Sequence, residues 1–177
     1  MRRPDLEHLI RAAAQIADDD ELIVLGSQSI LAQFPDAPAE LLVSEEADLY
    51  PKNHPDRWGL IDGSIGELSP FHETFHYYAQ GVGPETAVLP AGWQDRLVLI
   101  RNANTRGAAG WCLEVHDLLC AKYVANRDKD RRFARACFAH QLADPSLVAA
   151  RMADLPLPAE RIPDLQAAVT ADAKTSP

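Results

Sequence analysis

The chain has 177 residues, 47% of them hydrophobic, and a formal net charge of −9. That length supports one compact domain with its own core plus a small helical annex, while the acidic balance excludes a general nucleic-acid-coating surface, because phosphate backbones are met by basic footprints. No stretch approaches the roughly 20 apolar residues of a membrane span, and Cys112, Cys120 and Cys137, without C-x-x-C spacing, read as buried small hydrophobes of a soluble cytoplasmic protein with no disulfides.

Asp5 to Asp18 places Leu6, Leu9, Ile10, Ala13, Ile16 and Ala17 at helical spacing and predicts a first helix. The run Asp18-Asp19-Asp20 reads as a solvated turn. Glu21 to Leu25 predicts a buried strand, Gly26-Ser27 a turn, and Ser27 to Phe34 a short helix. After the loop 35–39, Leu41, Leu42 and Val43 lead into a second strand through Ser44, Glu46, Asp48 and Tyr50, closed by Pro51. Trp58 to Gly66 suits a short helix. Phe71 to Val82, rich in aromatics, and Arg96 to Ile100 predict an antiparallel pair of strands, and Trp111 to Val115 a last short strand. From Asp117 onward the periodicity is helical only. The expected organisation is an α/β (α+β) core over 1–115, a C-terminal helical segment over 116–170 and a flexible tail over 171–177.

Glu46 and Asp48 are the first candidate site. Two residues apart on a strand, they share a face and can grip one hard cation together. A glycine-serine turn closing an apolar strand, then this carboxylate pair about twenty residues on, resembles the polymerase-β-like nucleotidyltransferase superfamily. The segment Glu114-Val115-His116-Asp117-Leu118, followed by Lys122-Tyr123-Val124-Ala125-Asn126-Arg127-Asp128-Lys129-Asp130, is similar to "D-L, then K, then A-x-R-x-K-D" of the proteins related to the AbiEii abortive-infection toxins, including an uncharacterised bacterial branch. The resemblance covers most of residues 20 to 150.

It implies a small mixed sheet of nucleotidyltransferase type with flanking helices. It also implies metal binding (Mg or Mn) by Glu46 and Asp48, triphosphate contact at Gly26 and Ser27, and a phosphate-facing Lys122 that balances the leaving pyrophosphate. Arg127 and Asp130 join the nucleotide-binding candidates. The implied substrate is a nucleoside triphosphate and the acceptor is open: tRNA, a protein hydroxyl or a small molecule. A homodimer or a toxin-antitoxin partner is the expected protein contact, and no membrane is expected. The departure from the pattern is a third carboxylate: the strand expected to carry it offers Gln80, which leaves a catalytically inactive nucleotide- or partner-binding protein as the alternative.

A second alternative is a zinc metallopeptidase, because His72-Glu73-Thr74-Phe75-His76 matches H-E-x-x-H. In the strand predicted there, the two histidines would stand about 13 Å apart, too far for one metal. The plainer reading is that these histidines and aromatics line a pocket wall. Ser27, Ser29, His116 and Asp117 supply residue types for a hydrolase triad but without the G-x-S-x-G elbow.

Overall fold

The computed structural model describes Met1–Thr175, and the chain divides into two compact units: Met1–Thr86 with Leu97–Leu113, and Ala87–Arg96 with everything from Glu114 onward. Every strand lies in the first unit. Helix α1 (Arg3–Ala17) carries Pro4 in its first turn, with the Asp5 carboxylate accepting from the Arg2 amide, and ends at Asp18 in the left-handed region. Leu6, Leu9, Ile10, Ala13 and Ala17 recur at three- and four-residue steps and are completely buried.

Strand β1 (Glu21–Val24) pairs antiparallel with β2 (Glu46–Pro51) and parallel with β5 (Ala109–Cys112). The strand β3 (Tyr78–Gly81) extends the sheet parallel to β2, and β4 (Val98–Ile100) closes the other edge antiparallel to β5. The order is β3-β2-β1-β5-β4, a five-stranded mixed sheet flanked by helices, which is the fold class the sequence implies. Side chains alternate along strands, so Leu22, Val24, Ala47, Leu49, Ala79 and Cys112 share one buried face. Helices α1 and α2 (Trp58–Ile65) pack against the sheet. Gly110 is required where α1 crosses β5, since a Cβ there would overlap Ile10 Cδ1. The opposite face carries Ile23, Glu46, Asp48, Tyr50, Tyr78, Gln80 and Trp111.

Five local expectations need correction. The second strand, expected through Ser44 after Leu41, Leu42 and Val43, begins at Glu46, and Ala39–Leu41 is a 3-10 turn. The helix expected over 27–34 is a 3-10 segment, Ser27–Ala32. Residues predicted as a strand from Phe71 first form helix α3 (Pro70–Phe75): Ser69 Oγ accepts from the His72 amide at 3.2 Å and Pro70 occupies the first turn, start signals that outweigh the aromatic content. Nor do β3 and β4 pair; they lie at opposite edges of the sheet. Finally, Asp19 is buried, not solvated. Its carboxylate accepts from the amides of Glu21 (3.0 Å), Asn53 (2.8 Å) and His54 (3.1 Å) and from Asn53 Nδ2 (2.9 Å), tying the end of α1 to the chain leaving β2.

The second unit contains α4 (Val115–Ala125), α5 (Asp128–Ala139), α6 (Pro145–Arg151) and α7 (Ile162–Thr175). Leu118, Leu119, Tyr123, Cys137, Val148, Met152 and Val169 form its core. Asp172 draws α7 onto α4 and α5, accepting from Tyr123 Oη (3.0 Å), Arg131 Nε (2.6 Å) and Arg135 Nη1 (3.2 Å). Asp117, fully buried, meets Arg96 at 2.7 Å and Arg151 at 3.0 Å. Cys112, Cys120 and Cys137 are buried, and burial pushes the Cys112 and Cys120 thiols up to about 12. The expected tail over 171–177 includes positions 176 and 177, which lie outside the described residues. Among the described residues no helix is long and apolar enough to cross a membrane.

Candidate functional site

The site begins where β1 ends. Val24 O accepts from the Leu113 amide at 3.1 Å and from the Ser29 hydroxyl at 2.9 Å; the same hydroxyl also contacts Leu25 O, while the Ser29 amide donates to Gly26 O at 3.2 Å. Gly26 takes φ +31, and a Cβ at this position would overlap Asp48 Oδ2 and lie 3.1 Å from Asp48 Cγ. Only glycine lets the turn come this close to the carboxylate. The backbone lock between Leu25 N and Asp48 O, 2.8 Å, holds the two strands in that register. Gln28 of the same turn is fully buried; its Nε2 donates to Ser44 O at 3.3 Å while its Oε1 has no hydrogen-bond partner.

Glu46 and Asp48 project from β2 on one face, both half-buried. The Tyr78 hydroxyl donates to Glu46 Oε2 at 3.2 Å. Burial, reinforced by the negative charge of Glu46, pushes the Tyr78 phenol up to about 12, so it remains a donor at neutral pH. Parallel pairing sets Tyr78 opposite Glu46 and Gln80 opposite Asp48. Gly26, Glu46 and Asp48 are therefore gathered where β1 ends and β2 begins, at one end of two interior strands of the sheet. Two half-buried carboxylates on one face, with a glycine turn leaving room beside one of them, fit a hard divalent cation with oxygen ligands. Among the described residues no cluster of three or more His, Cys, Asp or Glu is placed to hold a metal, so a cation here would complete its shell with backbone, water or substrate oxygens.

Lys122, Arg127 and Asp130 are brought together in the helical unit. Lys122 is 8% exposed; its Nζ lies 3.0 Å from Asp130 Oδ1 and 4.6 Å from the centre of the Phe133 ring. Arg127 reaches the same carboxylate with Nε at 2.6 Å and, as the residue before α5, its amide does so at 3.3 Å. Burial pushes Asp130 up, but these partners outweigh it and hold the carboxyl below its ordinary range. This three-way ion pair bridges the corner where α4 ends at left-handed Asn126 and α5 begins.

The H-E-x-x-H segment is helical after all, but the helix stops within it. His76 is left-handed (φ 60) and outside α3, and His72 Nδ1 accepts from the Leu68 amide at 3.1 Å. The histidines are not presented together from successive turns as a zinc-binding helix requires. His8, Phe71, Phe75 and Tyr77 instead form an aromatic cluster with His8 Nδ1 2.8 Å from Tyr77 Oη. An open cleft of about 580 Å³ lined by Arg2, Arg3, Glu7, Asp36 and Leu42 lies in the same unit and includes none of the candidate residues.

Sequence reasoning weighed Ser29 only as a triad residue type and missed Gln28 and Tyr78. Tyr78 alternates with Gln80, but its opposition to Glu46 depends on a strand pairing that no local pattern specifies. Against known families, the model for nucleotidyltransferases of unknown function, DUF6036, matches residues 4–155. No curated protein and no solved structure matches the chain.

Proposed function

We propose that this chain, which belongs to the DUF6036 family of nucleotidyltransferases of unknown function, binds a nucleoside triphosphate with Mg²⁺ or Mn²⁺ at the Gly26–Ser27 turn and the Glu46–Asp48 pair, and transfers a nucleotidyl group to an acceptor. The observation that carries this is the overlap a Cβ at Gly26 would make with Asp48: the turn and the carboxylate are built against one another. The backbone of the turn accommodates phosphate oxygens, as exposed amides at the start of a helical turn do. Glu46 and Asp48 supply the negative charge that recruits the cation, and the cation, when bound, neutralises phosphate charge and orients the triphosphate. An acceptor hydroxyl oxygen forms the new bond to the α-phosphorus while its proton passes to solvent, the bond from that phosphorus to the α–β bridging oxygen breaks, and pyrophosphate leaves. Such transfers depend mainly on positioning and charge neutralisation.

The finer likeness to the AbiEii toxins, with a toxin-antitoxin partner, belongs to the same proposal and rests on the motif order from Glu114 to Asp130. For Lys122, Arg127 and Asp130 we propose a role in fixing the α4–α5 corner. Arg127, whose side chain is 61% exposed, is the member of that cluster suited to meeting a phosphate.

A second reading, nucleotide binding without turnover, is favoured by one observation: Gln80, opposite Asp48, adds no third negative charge. Calorimetric titration of wild-type and Asp48→Asn protein with nucleoside triphosphates and Mg²⁺ tests the binding. Loss of cation-dependent affinity in a folded Asp48→Asn variant is expected, and undiminished affinity would overturn the assignment. Pyrophosphate release then separates transfer from binding alone.

A further inference from the structure

We propose that Tyr78 is a positioning residue for Glu46, and that His72 holds Tyr78 in place, so that the His72-to-His76 segment serves the divalent-cation site and forms no zinc site of its own. The inference rests on the cation-binding reading above, because it concerns how a ligand of that cation is held.

The strand register places Tyr78 opposite Glu46, and the phenol donates to Glu46 Oε2 at 3.2 Å. A carboxylate with one oxygen occupied in this way loses rotational freedom before a cation arrives, and its other oxygen keeps a fixed direction. Behind Tyr78 lies the His72 ring, with centroids 4.6 Å apart and planes at 47°. His72 is itself held by a backbone hydrogen bond on one side. Its Nδ1 accepts from the Leu68 amide at 3.1 Å, which assigns the proton to Nε2, and Nε2 faces Glu45 Oε2 at 3.7 Å. The chain thus runs from the loop before α3 through an imidazole and a phenol to Glu46.

The rest of β3 follows the same logic. The residues opposite Glu46 and Asp48 are Tyr78 and Gln80, both neutral, so the two carboxylates balance one divalent cation. Groups that hydrogen-bond a metal-ligating carboxylate without touching the metal typically change affinity by about 10- to 100-fold when removed.

The test is calorimetric titration of the chelator-treated full-length chain with Mn²⁺, comparing wild type, Tyr78→Phe, His72→Ala and His72→Phe, with melting temperatures recorded in chelator. Wild type is expected to bind one Mn²⁺, and Tyr78→Phe to bind it about 10- to 100-fold more weakly with the metal-free melting temperature nearly unchanged. His72→Phe, which keeps a ring against Tyr78, is expected to retain more affinity than His72→Ala. Equal Mn²⁺ affinity in wild type and Tyr78→Phe would overturn this inference and leave the cation reading standing. Absence of Mn²⁺ binding in the wild type would overturn the cation reading itself. Stoichiometric Zn²⁺ uptake abolished by His72→Ala would also overturn the inference.

Discussion

Replacing Gly26 by alanine forces a choice between two contacts. The added methyl would overlap Asp48 Oδ2, and the φ of +31 is one that alanine resists. Strain of this kind costs about 1–3 kcal/mol, so Gly26→Ala is expected to lower the melting temperature by several degrees and to displace Asp48, weakening Mn²⁺ binding at the same time. Thermal denaturation with and without Mn²⁺ checks both effects. At Glu114, burial pushes the carboxyl up, but the His116 hydrogen bond at 2.6 Å and the Arg151 contact outweigh it and bring it to about 2 from an ordinary value of 4.5. A depressed carboxyl stabilises the fold above its unfolded value. Its contribution is therefore complete above about pH 5 and is lost as pH falls from 4.5 toward 2. Glu114→Gln is expected to flatten part of the acid limb of the stability curve, measured by urea unfolding at stepped pH.

The corner between α4 and α5 depends on a buried ion pair whose removal is costlier than its presence is beneficial. Lys122→Met leaves Asp130 buried with its Arg127 ion pair but without the ammonium, and breaking such a pair costs roughly 3 kcal/mol. Urea denaturation should show that loss directly; an unchanged midpoint would contradict the brace. Some elements are legible from sequence and others are not, for physical reasons. Helix α1 and the helices after Val115 announce themselves because amphipathic periodicity is a local property. The segment from Phe71 misleads because six aromatics and histidines resemble a strand, while the helix they begin is decided by Ser69 and Pro70. The burial of Asp19 is hidden because three of its four donors, on Asn53 and His54, converge on it from residues distant in sequence.

For the whole molecule, family membership and a mixed sheet with a carboxylate pair at the start of β2 support the same reading. The candidate pair Glu46 and Asp48 was legible because a two-residue period is written in the sequence, and Gly26 because a glycine after an apolar strand marks a turn. Tyr78 was not, since parallel pairing of β2 with β3 brings it to Glu46 across 32 residues. The most direct measurement is a thermal-shift panel of the chelator-treated chain with each nucleoside triphosphate, with and without Mg²⁺ or Mn²⁺. A ligand at about 100 times its dissociation constant adds about 2.7 kcal/mol, which for a chain of this size raises the melting temperature by roughly 5–10 °C. The account predicts a rise of that order only when nucleotide and divalent cation are present together, and its absence from Asp48→Asn. A rise of equal size with nucleotide alone, or with Zn²⁺ alone, would contradict it.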